Sequence, residues 1–321
     1  MASSKIVITD GFTLNPGDLD WRPLQEFGDV VVYDRTRERE ILDRVFDADV
    51  IITNKTPLSA NVIQAASRLK LIAVTATGYN IIDTHAADQK RIPVCNVPGY
   101  GTDSVAQHTF ALILELTNHV GLNAASVASG EWSVARDWCY TKVPIAELAG
   151  KTLGIVGYGK IGQKVADVGR AFGMRVIFYN PSPREDSGST SLEEVFSKSD
   201  IITLHCPLTR DNAGFVTADL LSKMRSSALF INTSRGQLVN ENDLAQILGN
   251  GKIAGAALDV LSKEPPDVHN PLIGLRNCIV TPHNAWLSLE ARQRIMQSTI
   301  NNVALFFAGK PQNVVNLISS L

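Results

Sequence analysis

Three glycines set between a strand-like run and a helix-like run constrain this chain more than any other feature. Residues 153–156 are short and apolar, Gly157-Tyr158-Gly159-Lys160-Ile161-Gly162 follows, and a helical stretch runs over 161–172. In that context Gly157 permits the tight turn, Gly159 lets backbone approach a pyrophosphate, and Gly162 lets helix and strand pack closely. The amides and dipole at the helix start then favour a bound anion. The spacing predicts a dinucleotide-binding βαβ unit.

The same rhythm fills the chain. Apolar runs at 5–9, 30–33, 50–53 and 71–74 alternate with charged, helix-like stretches such as 38–46 and 61–67. It restarts with runs at 152–156, 175–179, 201–205, 229–232, 255–260 and 278–281. Alternation of this kind implies parallel sheets covered on both faces. At 321 residues the chain exceeds what one core usually supports. The expected fold class is therefore α/β, with two Rossmann-like domains, one flavodoxin-like and one dinucleotide-binding, and a cleft between them. Turns at 98–101 and 281–282 mark the crossings. This gives a discontinuous domain of 1–101 and 286–321 and a nucleotide-binding domain of 102–285. Long helices are predicted from 102 to about 121 and over 288–307, the second packing back on the first sheet.

Composition removes several classes of function. A net charge of −2 and no long Lys/Arg run leave no electrostatic footprint for nucleic acid. No apolar run approaches a membrane span, and residues 1–5 lead straight into strand-like sequence instead of a signal peptide. Cys95, Cys139, Cys206 and Cys278 are scattered, which fits reduced thiols, a cytoplasmic location and no metal site. His85, His108, His119, His205 and His269 lack ligand spacing, and packing or surface roles are expected of them, His205 excepted.

Three residues beyond the glycine motif carry chemistry. Reducing a 2-keto acid needs a group that grips the carboxylate, a proton donor at the carbonyl oxygen, and a group that keeps the donor charged. Arg235, in Asn-Thr-Ser-Arg-Gly, offers a planar fork for carboxylate and carbonyl. His283, in Thr-Pro-His-Asn, exchanges protons near neutrality. Glu264, before Pro265-Pro266, stabilises an imidazolium nearby. Each alone reads equally well as a salt-bridge, turn or core residue. Together, at the ends of successive strands of one sheet, they read as a dehydrogenase. His205-Cys206-Pro207 ends another strand and is expected to line the nicotinamide side. Asn180 ends the second strand, where an acid usually selects NAD. Its neutral amide, with Ser182 and Arg184 close by in sequence, points to NAD with NADP also used.

These residues resemble the D-2-hydroxyacid dehydrogenase family over nearly the whole chain, from Ile6 to Asn316. Within it, Thr-Ala-Thr-Gly-Tyr-Asn-Ile-Ile-Asp (75–83), residues 95–108, Ala-Leu-Asp-Val-Leu-Ser-Lys-Glu-Pro-Pro (257–266) and Thr-Pro-His-Asn-Ala-Trp (281–286) are most similar to glycerate dehydrogenases, or hydroxypyruvate reductases. The resemblance implies that Arg235, Glu264 and His283 are catalytic, that Thr77 and Gly78 lie at the substrate cleft, and that Gly78 backbone helps hold the substrate carboxylate. It implies cofactor contacts from Thr77, from Tyr158, Lys160 and Ile161, from Asn180, from the turn His205, Cys206, Pro207 and Thr209, from Thr233, Ser234 and Arg235, and from Asp259, His283 and Ala285. It further implies a homodimer, with an arm at about 122–145 that carries Trp132 and Trp138; a further expectation places Trp138 at the mouth of the neighbouring active site. The expected reaction is NAD(P)H-dependent reduction of hydroxypyruvate to D-glycerate. Alternatives are a glyoxylate or broad 2-keto-acid reductase and, from another class, a nucleotide-sensing corepressor. A 3-phosphoglycerate dehydrogenase lacks support because no added basic cluster is evident. A formate dehydrogenase would carry glutamine in place of Glu264.

Overall fold

Runs such as Val50–Thr53 and Leu71–Val74 have no polar face, so a strand made from them must be covered on both sides. A computed structural model, describing residues 3–181 and 188–316, places them inside parallel sheets. The chain divides into two compact units, Met1–Tyr100 with Leu287–Leu321, and Gly101–Trp286.

The first unit runs β1 (Lys5–Ile8), α1 (Gly11–Leu14), β2 (Asp29–Val32), α2 (Ile41–Val45), β3 (Val50–Thr53), α3 (Ala60–Ala65), β4 (Leu71–Val74), α4 (Thr84–Gln89) and β5 (Val94–Cys95). The two-residue β5 was not anticipated from sequence. Sheet order is β2-β1-β3-β4-β5, the flavodoxin-like pattern. Val7, Ile51, Ile72 and Val94 meet the buried faces of α2, α3 and α4 in one core.

In the second unit, α5 (Thr102–Asn118) and α6 (Val120–Ala128) precede β6 (Thr152–Val156), α7 (Lys160–Ala171), β7 (Arg175–Tyr179), α8 (Leu192–Lys198) and β8 (Ile201–Leu204). There follow α9 (Ala218–Ser222), β9 (Leu229–Asn232), α10 (Glu241–Gly249), β10 (Gly255–Leu258) and β11 (Cys278–Val280). The six strands are parallel, ordered β11-β10-β9-β8-β6-β7, and a bridge from Phe178 to Ser189 adds a trace of a further strand beyond β7. Counting that bridge, the order is the doubly wound one of dinucleotide-binding folds, with its switch point between β6 and β8. Alternate strand residues serve opposite faces: Phe230 and Ala256 join one core, Ile231 and Ala257 the other.

Helix α11 (Leu289–Phe307) returns to the first unit and packs on β4. Its N-cap, Ser288, accepts a hydrogen bond from Ala291 N at 3.2 Å. Arg292, only 8% exposed, grips Asp18 through both Nη1 and Nη2 at 2.6 Å. The guanidinium holds the Asp18 carboxyl below the usual range.

The helix expected to reach residue 121 stops at Asn118. His119 turns left-handed there (φ +50°), Gly121 N donates to Glu115 Oε2, and α6 starts afresh. Beyond α6 the segment is organised by polar bonds: Ser126 Oγ to Tyr140 Oη at 2.7 Å, Lys142 Nζ to Glu131 at 2.6 Å, and Trp132 Nε1 donating to Trp138 O at 3.0 Å. Its apolar side chains face outward instead of entering a core, Val134 being 83% exposed and Trp138 86%. No helix among the described residues is long and apolar enough to cross a membrane.

Candidate active site

Because β9, β10 and β11 are adjacent and parallel, the loops that follow them leave the sheet at the same edge. Those loops carry Arg235, Glu264 and His283. Gly236 makes the first two loops meet. A Cβ there would lie 1.9 Å from Leu261 C and 2.3 Å from Ser262 N, so only glycine allows this backbone approach. Asn232, fully buried at the end of β9, then fixes the arginine loop by accepting from Ser234 N (3.0 Å) and donating to Arg235 O (2.9 Å).

Both carboxylate oxygens of Glu264 are engaged. Oε1 accepts from Leu261 N at 3.0 Å, which folds its loop back on itself, and Oε2 lies 2.6 Å from His283 Nδ1. A carboxylate can only accept, so Nδ1 carries a proton and donates it. Proton exchange with a substrate therefore falls to Nε2. His283 itself sits in the left-handed region, φ +51°, an uncommon place for a residue with a side chain.

The glycine motif stands at the switch point. Gly157 has φ +97°, and a Cβ on it would strike Cys206 N at 2.4 Å, while one on Gly162 would strike Gly157 O at 2.2 Å. Gly159 differs: a Cβ on it meets nothing within 4 Å. The first and third glycines thus serve packing, and the second leaves a free approach at the start of α7, which fits a pyrophosphate there. Tyr158 is 8% exposed, and its ring stacks on Phe178 at 3.8 Å. Asn180 Oδ1 accepts from Tyr158 N at 2.7 Å. That bond fixes the amide orientation and leaves Nδ2, with no partner among the described residues, as a donor that an acid could not offer. Ser182 and Arg184, singled out beside it in the sequence, lie outside the described residues.

Around the β8 loop, Asn212 clamps the turn by accepting from Thr209 N (2.7 Å) and donating to Pro207 O (2.8 Å). Ser234 Oγ donates to Cys206 O at 2.5 Å, tying this loop to that of Arg235. Burial pushes the Cys206 thiol up to about 11 and the His205 imidazole down to about 3. His205 is therefore neutral, bonded through Nε2 to Thr203 Oγ1 at 2.9 Å. Thr233, 8% exposed, bonds Thr109 at 3.1 Å. Asp259 is 1% exposed and accepts from Thr281, Asn284 and Ala285, all within its own unit. Thr77 and Gly78 follow β4 in the first unit, where Thr77 Oγ1 donates to Val97 O at 2.9 Å.

Sequence reasoning missed Asn232, Ser104 and His108. It gave His108 an ordinary packing or surface role, whereas its Nε2 lies 3.2 Å from Thr281 Oγ1 and 3.5 Å from Asp259. A usable signal was the pair Ser104 and His108, polar residues one turn apart on a helix whose neighbouring Val105, Ala106 and Phe110 are buried.

A family model described as D-isomer specific 2-hydroxyacid dehydrogenase, NAD binding domain, matches residues 110–285. A hydroxypyruvate reductase of Blautia hydrogenotrophica is 45% identical, over 97% of this chain and 99% of that one. A glycerate dehydrogenase of Methylorubrum extorquens is 42% identical over 86% of this chain and 88% of its own. The solved structure of an NADPH-dependent glyoxylate/hydroxypyruvate reductase from Sinorhizobium meliloti, in complex with NADP and malonate, matches with a TM-score of 0.84 at 27% identity, covering 98% and 97% of the two chains.

The depressed His205 has a consequence for stability. The imidazole stays neutral in the fold down to about pH 3 but protonates near 6.5 once unfolded. Between those values the unfolded chain binds the extra proton, so stability falls as pH falls. His205→Gln should show a shallower loss of Tm than the wild type between pH 7 and pH 4.5. Parallel Tm curves would mean that the imidazole is not held neutral.

Proposed function

The chain belongs to the D-isomer-specific 2-hydroxyacid dehydrogenases, and on that footing we propose that it reduces hydroxypyruvate to D-glycerate with a nicotinamide coenzyme. The observation that carries this reading is the 2.6 Å bond from His283 Nδ1 to Glu264, on the strand next to the one that presents Arg235.

Arg235 grips the substrate carboxylate and polarises the C2 carbonyl. A dihydronicotinamide held at the glycine turn would supply the hydride for C2. His283 Nε2 gives its proton to the carbonyl oxygen, which completes the hydroxyl, and takes one back in the reverse direction. Glu264 stabilises the imidazolium before transfer and holds the ring in one tautomer. By their place in the sequence pattern, Thr77 and Gly78 assist with the carboxylate.

Support for the substrate comes from the relatives named for hydroxypyruvate and glycerate. A second reading, a glyoxylate or broad 2-keto-acid reductase, is favoured by the fact that Arg235 and His283 address the keto-acid head and leave the tail to pocket shape. Initial rates with hydroxypyruvate, glyoxylate and pyruvate separate the two. A clear lead for hydroxypyruvate in kcat/KM supports the first reading, and equal rates with all three support the second. Glu264→Gln keeps an acceptor for Nδ1 but removes the charge, so kcat for reduction should drop roughly tenfold or more with little change in KM. An unchanged kcat would assign Glu264 to loop structure alone.

NAD is the coenzyme of this domain family, and we propose that NADPH is used as well, because Asn180 presents a donor where an acid would repel a 2′-phosphate. Asn180→Asp should raise the NADH to NADPH ratio of kcat/KM at least tenfold, an order-of-magnitude expectation for a charge set against a phosphate. An unchanged ratio would remove Asn180 from coenzyme choice.

A second copy of the chain is the proposed partner of the segment 120–145, where Val120, Val134, Trp138 and Ile145 are each more than half exposed. Trp138→Ala should weaken the dimer in sedimentation and raise KM for hydroxypyruvate. A variant that stays dimeric with unchanged kinetics would argue against Trp138 at the neighbouring site.

A further inference from the structure

We propose that His108 and Ser104 of α5, acting through Asp259 and Thr281, are positioning residues that hold His283 in register for proton transfer. The inference rests on the reading of His283 as the proton carrier and adds the group that aims it.

A left-handed backbone at a residue with a side chain persists only when its surroundings determine it. At His283 the flanking bonds do so. Its own N–H donates to Thr281 O at 2.9 Å. Asp259 Oδ1 accepts from Thr281 Oγ1 at 2.6 Å and from Asn284 N at 2.9 Å, and Oδ2 accepts from Ala285 N at 3.0 Å. One buried carboxylate therefore grips the loop on both sides of the histidine. Burial pushes the Asp259 carboxyl up, but the hydrogen bonds from His108, Thr281, Ala285 and Asn284 outweigh it, and the group is held below its ordinary range.

The carboxylate needs a fixed reference, and α5 supplies one. His108 Nε2 lies 3.2 Å from Thr281 Oγ1 and 3.5 Å from Asp259 Oδ1. The single hydroxyl proton of Thr281 is committed to the 2.6 Å bond with Asp259, so His108 must be the donor and carries its proton on Nε2. One turn earlier on the same face, Ser104 Oγ donates to Ala285 O at 2.6 Å. The next residue after His108, Thr109, bonds Thr233 beside the Arg235 loop. A single 17-residue helix, packed through Val105, Ala106, Phe110 and Ile113, thus bonds two of the three loops that carry the candidate residues, those of Arg235 and His283. Ser104 and His108 are half-buried and Thr109 is buried, and all three bond one or other of these two loops.

The test compares His108→Leu, which removes the donor, with His108→Gln, which returns a donor at the same reach. Two readouts are taken: hydrogen exchange of the Asn284 and Ala285 amides, and kcat, KM and coenzyme Kd with hydroxypyruvate. The leucine variant should lose at least about tenfold in protection of those two amides. Its kcat should fall on the order of tenfold to a hundredfold, the scale of a small misplacement of a reacting group, with coenzyme Kd within about twofold. The glutamine variant should recover most of both. Protection and kcat near wild type in His108→Leu, or equal losses in both variants, would overturn the proposal. Should His108→Leu fail to fold, Thr281→Val against Thr281→Ser poses the same question through the hydroxyl. A wild type that turns over no 2-keto acid would sink the proposed function, while the exchange of the two amides would still decide this inference.

Discussion

Parallel pairing of β9, β10 and β11 is the constraint on which the candidate site depends. The register sets Asn232, Leu258 and Val280 level with one another across the three strands. Neighbouring strands lie about 4.8 Å apart, so the loops that follow begin within roughly 10 Å of each other. Arg235 stands three residues beyond its strand, Glu264 six beyond and His283 three beyond. Residues far apart in sequence are delivered to one edge by backbone hydrogen bonds alone, and short loops keep them there.

Side chains refine what the sheet delivers. Gly236 lets the loops of Arg235 and Glu264 touch, and Gly157 does the same for the glycine turn and the β8 loop at the switch point. Glu264 serves as both loop anchor and partner of His283, which couples the shape of its loop to the tautomer of the ring. Asn180 is fixed in the same way, its oxygen accepting from Tyr158 N. In both cases a hydrogen bond to backbone fixes the orientation of the side chain.

Much of this was legible in the residues. Apolar runs such as Val50–Thr53 and Leu229–Asn232 could only be buried strands, and the glycine spacing after β6 carried its own structural context. Arg235, Glu264 and His283 could be picked out because each is the residue type its proposed task requires. Other features were hidden for physical reasons. The break at His119 depends on one left-handed residue and a bond from Gly121 N to Glu115, neither of which alters the hydrophobic period. Strand β5 is too short to leave a pattern. The link from His108 to Asp259 joins positions 151 apart in the chain, and although Ser104 and His108 share a helix face, which loop that face meets is set only when the helix is docked. That the Tyr158 ring would stack on Phe178 was likewise hidden, since the motif spacing says nothing of where that side chain packs.

The account stands or falls on His283 as the group that moves the proton. The most direct measurement is single-turnover reduction of hydroxypyruvate by His283→Asn, with NADH affinity followed separately by fluorescence titration. The account predicts a loss of the chemical step on the order of a hundredfold to ten-thousandfold, the range for removal of a positioned acid, with coenzyme affinity nearly unchanged. Turnover within a few-fold of the wild type would contradict it and assign the proton to another group.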